Sequence, residues 1–259
     1  TTHPAGALLA ADFEAFLSGD RTLHTLFEPT DRSSLAGWTG TRHHILLTTL
    51  DNVRSRVAVL TFQDGQWRRE PLAGVPEFGT ASVSAADEME SDDYWLVTSS
   101  PLEPSTLALG SAATPARAPE KLKQTPAFFE TAGMKVEQHE AVSQDGTRIP
   151  YFQIGRADRP ADGSTPTLLY GYGGFEIPLV PGYNPVSGVA WLEKGHAYVI
   201  ANIRGGGEFG PRWHQAALKA NRRRAYEDFA AVAEDLVTRK VTSPRHLGIM
   251  GGSNGGLLM

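Results

Sequence analysis

The stretch HLGIMGGSNGGLLM, His246 to Met259, decides the reading of this chain. HLGIM has the composition of a short apolar strand, and a G-x-S-x-G pattern (Gly251, Ser253, Gly255) follows at once, with an apolar segment after it. A serine at the tip of such a turn needs strained backbone geometry, and side chains on its neighbours would collide with the adjoining strand and helix. Gly251, Gly255 and Gly256 meet that demand. The competing reading is a glycine-rich turn whose serine only caps the next helix. What precedes the stretch separates the two.

Upstream, strands and helices alternate. MKVEQHEAV (Met134 to Val142) and TRIPYFQI (Thr147 to Ile154), joined by Gln144-Asp145-Gly146, predict an antiparallel hairpin. TPTLLYGYGG (Thr165 to Gly174) reads as a buried strand running into a glycine-rich loop. A helix from about Val186 to Lys194, ended by Gly195, leads to the strand HAYVIANIR (His196 to Arg204). Tyr226, Phe229, Ala230, Ala233, Leu236 and Val237 then recur at three and four, with Glu227, Asp228, Glu234 and Asp235 opposite, which predicts an amphipathic helix. Arg239 and Lys240 suit the negative end of its dipole, and Ser243-Pro244 breaks it. Helices between buried strands imply a parallel sheet covered on both faces. Ser253 then sits at a nucleophile elbow, and YGYGG (Tyr170 to Gly174) ends an earlier strand of the same sheet. That loop is placed to supply one part of an oxyanion hole, with the Asn254 amide as the other donor.

Up to about Gln124 the pattern is β instead. HHILLTTL (43–50), SRVAVLTF (55–62) and QWRREPLAG (66–74) are separated by Asp51-Asn52 and Asp64-Gly65, and TASVSAAD (80–87), DYWLVTSS (93–100) and STLALG (105–110) follow. Evenly spaced short strands without helices suggest a sandwich, a barrel or propeller blades. Residues 5–29 mix a short helical pattern with a strand-like end. Thr114 to Pro126, with Pro115, Pro119 and Pro126 among polar residues, has linker composition, and the domain boundary is placed there.

With 259 residues, 41% of them hydrophobic, and a net charge of −5, the chain describes a globular protein with a mildly acidic surface, which argues against nucleic-acid binding. The run Arg222-Arg223-Arg224 is followed by Glu227 and Asp228 and reads as a solvated helix face. There is no cysteine, so disulfides, thiolate nucleophiles and cysteine-bound metals are all absent. No apolar run approaches the roughly 20 residues of a membrane helix. The portion reads as soluble, and the compartment, cytoplasmic or periplasmic, is left open. RGGGEFG (204–210) lacks the Lys-Ser or Lys-Thr of a phosphate loop and reads as a structural loop near the cleft, with Glu208 as a contact for a substrate amine.

LLYGYGGFEIP (168–178), ANIRGGGEFGPRWH (201–214) and TSPRHLGIMGGSNGGLL (242–258), in that order and spacing, resemble the prolyl oligopeptidase family of serine peptidases. The positions of Asp228 and Leu236 fit the same pattern, while Val232 departs from the family's usual alanine. The resemblance is strong from Tyr151 to Met259 and weaker over the β-rich part. It implies a β-propeller followed by an α/β-hydrolase domain: residues 1–126 as the closing blades, and 127–259 as the first half of the hydrolase, cut just after its elbow. It further implies Ser253 as the nucleophile, Asn254 as a backbone oxyanion donor, Tyr172 as a phenolic oxyanion donor and Phe175 as an aromatic wall of a proline pocket. No metal or organic cofactor is implied. The partners are short peptides, with access restricted by the propeller, and the oligomeric state is left open.

In such hydrolases the acid and the histidine follow the serine along the chain. Every histidine here precedes Ser253. His246 begins the strand that ends in the elbow, which puts it about 23 Å away at the other end of the sheet, and His214 reads as a helix-surface or packing residue. The expectation is therefore a piece of a longer chain that carries the nucleophile without its base, and that is poorly soluble or inactive alone. An esterase or acylaminoacyl-peptidase on the same scaffold, and a non-catalytic propeller protein with a decayed hydrolase portion, remain as alternatives.

Overall fold

The computed structural model describes residues 2–259. A two-stranded antiparallel ribbon opens the chain: β1 (Leu8–Ala10) and β2 (His24–Phe27), with helix α1 (Phe13–Leu17) between them. Two four-stranded antiparallel meanders follow. The first contains β3 (Ser33–Gly40), β4 (His44–Asp51), β5 (Arg54–Gln63) and β6 (Gln66–Pro71), and the second β7 (Thr80–Ala85), β8 (Asp93–Ser100), β9 (Glu103–Ser111) and β10 (Glu120–Gln124). In each sheet sequential strands are neighbours, because two-residue turns such as Asp64-Gly65, both at positive φ, leave no room for a crossover.

Alternation in these strands builds one core on each face of the first meander. Leu46, Val57 and Val59 meet Tyr94 and Leu96 of the second meander. On the opposite face Leu47 and Leu60 meet Leu26 and Phe27 of the ribbon. Each such side chain, fully buried, stabilises the fold by about 1.5–3 kcal/mol.

Glu120–Gln124 lies in the stretch expected to be linker, yet it is the edge strand β10, paired with β9 and exposed along its whole length. An edge strand of charged and polar residues buries nothing, so its alternation is invisible in sequence.

Between Gln124 and Met134 the chain passes to a third sheet. It holds β11 (Met134–Val142), β12 (Arg148–Arg156), β13 (Thr167–Tyr170), β14 (Ala197–Ala201) and β15 (Leu247–Met250) in the order β11-β12-β14-β13-β15. The sheet is mixed, with the expected parallel pairing and the expected antiparallel hairpin side by side. β13 runs parallel to β14 and β15, but β11 and β12 form an antiparallel hairpin and β12 is antiparallel to β14. A tight turn can join only antiparallel strands, and the hairpin carries that direction into the sheet.

Helices α2 (Pro185–Ala190), α3 (Pro211–Gln215), α4 (Arg223–Thr238) and α5 (Asn254–Leu258) accompany this sheet. One face, with Ile149, Tyr151, Leu169, Val199 and Ile203, packs on α4. The other, with Phe152, Ile154 and Tyr198, is covered by Leu192, Phe129 and Val53. Val53 sits in the β4–β5 turn at φ 64°, costly for a β-branched residue, and its complete burial against this face offsets the strain. That contact binds the first half of the chain to the third sheet. No helix among the described residues is long and apolar enough to cross a membrane.

Helix α4 is turned relative to the sequence expectation. Ala225, Asp228, Phe229, Val232 and Leu236 are buried, while Tyr226 and Ala230 face outward. The cause is Asp228, expected on the solvent face but 0% exposed. Its two oxygens accept from the Arg204 guanidinium at 2.6 and 2.9 Å, from the Arg204 N–H at 3.0 Å and from Ser143 Oγ at 2.7 Å. A buried pair of this geometry outweighs the polarity pattern of the helix surface.

Candidate active site

Strand β15 ends at Met250, and Ser253 follows with φ 52° and ψ −119°, immediately before α5. That conformation is strained for any residue with a Cβ. Glycine is required at two neighbours by close approach. A Cβ on Gly251 would lie 2.3 Å from the Gly255 carbonyl oxygen, and one on Gly255 would lie 2.5 Å from that of Gly171. Gly256, expected to be equally constrained, has room for a side chain. The Ser253 side chain is exposed and makes no capping bond to α5, so its hydroxyl is free for chemistry.

Parallel pairing of β13 with β15 brings the YGYGG loop to the elbow: Tyr170 is paired with Met250, and the Gly171 N–H donates to the Met250 carbonyl at 3.2 Å. Asn254 Nδ2 then donates to the Tyr172 carbonyl at 2.7 Å. The Asn254 backbone N–H and the Tyr172 hydroxyl have no hydrogen-bond partner among the described residues. Phe175 is 72% exposed, at φ 54°, and projects from the same loop. Ser253, Asn254, Tyr172 and Phe175 are thus gathered at one end of the third sheet.

The RGGGEFG loop lies beneath this arrangement and supports it. Gly205 accepts from the Glu176 N–H at 3.3 Å, and a Cβ on Gly207 would lie 2.0 Å from the Glu176 carbonyl. Arg204 anchors the loop through Asp228 and through Asp145 at 2.5 Å, and the hydrogen bond from Arg204 holds the Asp145 carboxyl well below the usual carboxylate range.

Glu208 does not face the cleft. It is 1% exposed and turned inward, where Oε1 accepts from the Leu179 N–H at 3.0 Å and from Asn202 Nδ2 at 3.4 Å, so the expected contact with a substrate amine is corrected. Burial pushes its carboxyl up to about 7 from the usual 4.5. Ionisation is therefore favoured in the unfolded chain, and the stability this group contributes is complete at low pH and lost as pH rises through about 7. Replacing Glu208 by Gln in the intact protein should shift relative stability toward the variant by about 2 kcal/mol between pH 5 and pH 8. Denaturant titrations at both pH values check this, and parallel curves for the two proteins would contradict it.

Six of the eight histidines have partners other than Ser253. His246 contacts Ser243 Oγ at 2.9 Å, at the far end of β15, and His214 Nδ1 lies 2.6 Å from the Gly205 carbonyl. His139 contacts Arg239, His43 contacts Asp92, His44 contacts Thr61 and His196 meets Trp191 edge-on. Among the described residues no group of three or more His, Asp or Glu side chains gathers in a way that could hold a metal ion.

Arg222 is the residue that sequence reading missed. Expected on a solvated face, it is partly buried: Nη1 donates to the Gly173 carbonyl and Nη2 lies 3.5 Å from Asn254 Oδ1. An arginine in a basic run gives no sequence signal that it turns inward.

A sequence model of the prolyl oligopeptidase family matches residues 185–259. An uncharacterized peptidase of Sinorhizobium fredii is 50% identical over 261 residues, covering 100% of this chain and 35% of the relative. A prolyl endopeptidase of Elizabethkingia meningoseptica is 35% identical over 185 residues, covering 71% of this chain and 26% of the relative. Among solved structures, a post-proline cleaving enzyme from Rickettsia typhi superposes with a TM-score of 0.83 at 35% identity, over 98% of this chain and 37% of that one. The chain thus spans about a third of the length of the relatives it matches.

Proposed function

The chain belongs to the prolyl oligopeptidase family, and from that premise we propose that the intact protein is a serine peptidase that cleaves short peptides after proline through an acyl-enzyme on Ser253. The observation that carries this reading is the strained Ser253 backbone at the end of a sheet strand, with a free hydroxyl, an unpaired Asn254 N–H next to it, and the Tyr172 loop held to Asn254.

In the proposed reaction Ser253 Oγ forms a bond to the scissile carbonyl carbon and gives its proton to a base. The resulting oxyanion rests on the Asn254 N–H and the Tyr172 hydroxyl. The C–N bond then breaks, the leaving amine takes the proton from the base, and water hydrolyses the acyl ester. No hydrogen bond joins a histidine to Ser253 among the described residues, and in hydrolases of this type the acid and the histidine follow the serine along the chain, so the base and its acid partner are assigned to residues outside 1–259. Exposed Phe175 forms one wall of the proline pocket.

The two meanders are read as β-propeller blades, with the ribbon as part of another, and residues 127–259 as the first half of an α/β-hydrolase domain. Face-to-face stacking of consecutive four-stranded meanders supports this division. A propeller in that position admits oligopeptides and excludes folded proteins.

Rates on a blocked proline-containing peptide and on a simple acyl ester with the same leaving group test the proposal. It expects the peptide to be strongly preferred, whereas turnover of the ester alone indicates an esterase. Tyr172→Phe removes one oxyanion donor and is expected to lower kcat about 10²-fold with little change in KM. Unchanged kcat would remove Tyr172 from the oxyanion hole.

A further inference from the structure

We propose that Arg222 is a positioning residue for the oxyanion hole, fastening the loop that carries Tyr172 to the turn that carries Ser253. This rests on the reading of Tyr172 and Asn254 given above. The guanidinium reaches the Gly173 carbonyl through Nη1 and Asn254 Oδ1 through Nη2, and Asn254 Nδ2 holds the Tyr172 carbonyl at 2.7 Å. Two successive loop carbonyls are thereby held from the elbow side, one directly and one through Asn254.

The same helix grips the elbow a second time. Tyr226, one turn after Arg222 and 5.6 Å beneath its guanidinium, donates from its hydroxyl to the Leu257 carbonyl at 3.1 Å. Helix α5 is therefore tied to α4 at both of its ends.

Arg222 forms no ion pair among the described residues, whereas its neighbours do: Arg223 pairs with Glu227, and Arg224 lies 3.9 Å from Asp145. Its donors are directed to a carbonyl and an amide oxygen. It sets the separation of the Tyr172 phenol from Ser253, a distance on which an oxyanion donor's effect depends.

The test is a double-variant cycle in the intact protein, with kcat expressed per active site titrated by a fluorophosphonate. Arg222→Met is expected to lower kcat about 10- to 100-fold with KM within about threefold. Arg222→Lys, which keeps one donor toward Gly173, is expected to recover most of the loss and covers the case in which Arg222→Met does not fold. In a Tyr172→Phe background either Arg222 substitution should add less than about threefold, because the donor that Arg222 positions is already gone. A merely structural arginine would reduce the amount of titratable protein and leave kcat per site unchanged, which overturns the proposal. So does a loss of equal size in both backgrounds while Tyr172→Phe keeps its own effect. If Tyr172→Phe is itself fully active, the oxyanion reading fails first and this inference falls with it.

Discussion

Ser253→Ala is expected to abolish the proposed peptidase activity of the intact protein, lowering kcat by at least about 10⁴-fold while folding stability changes by less than about 0.5 kcal/mol. Both halves follow from the elbow. The hydroxyl is exposed and makes no bond to the first turn of α5, so its removal takes away no interaction that holds the fold. Alanine meets the same backbone strain at φ 52° that serine does, so the strain cancels in the comparison. A serine that only capped the helix would behave in the opposite way, costing about 1 kcal/mol of stability and leaving turnover intact. Peptide turnover and a denaturant titration on the same preparation separate these cases.

Asp228→Ala is the largest expected effect on stability, a loss of about 3–5 kcal/mol. The carboxylate accepts four hydrogen bonds from Arg204 and Ser143, and its removal leaves a guanidinium that is 4% exposed with only Asp145 as an ionic partner. The damage extends to the site, because Arg204 begins the glycine loop on which Glu176 and Leu179 rest. Asp228→Asn keeps the shape and part of the bonding, and should therefore lie between the parent and alanine. Urea unfolding of the three proteins checks the order. Near-equal midpoints would show that Arg204 is held by other means.

The features legible in the sequence were those that local chemistry enforces. The elbow could be read because its glycines avoid backbone collisions at Gly251 and Gly255, and the meander strands because apolar alternation marks their buried faces. That β13 and β15 share a sheet followed from strands that alternate with helices, whereas their direct pairing, which brings Tyr172 to Asn254, is seen only in the fold. What escaped depends on partners distant in the chain. Asp228 lies on a helix whose local pattern places it in water, and its burial is explained by Arg204 and Ser143, 24 and 85 residues earlier. Glu208 and Arg222 are charged residues beside loops, and local sequence does not distinguish inward from outward rotamers at such positions. β10 escaped because a charged edge strand leaves no apolar trace, and β3 because Gly37 and Gly40, with a register shift between Leu35 and Gly37, interrupt its period.

If Ser253 is an activated nucleophile, it reacts covalently with an electrophile that mimics the scissile carbonyl. The most direct measurement is the intact mass of the purified full-length protein before and after exposure to a fluorophosphonate, followed by peptide mapping of the adduct. One adduct per chain is expected, on Ser253 and absent from Ser253→Ala. Failure of folded protein to react, or an adduct on any other residue, would contradict it.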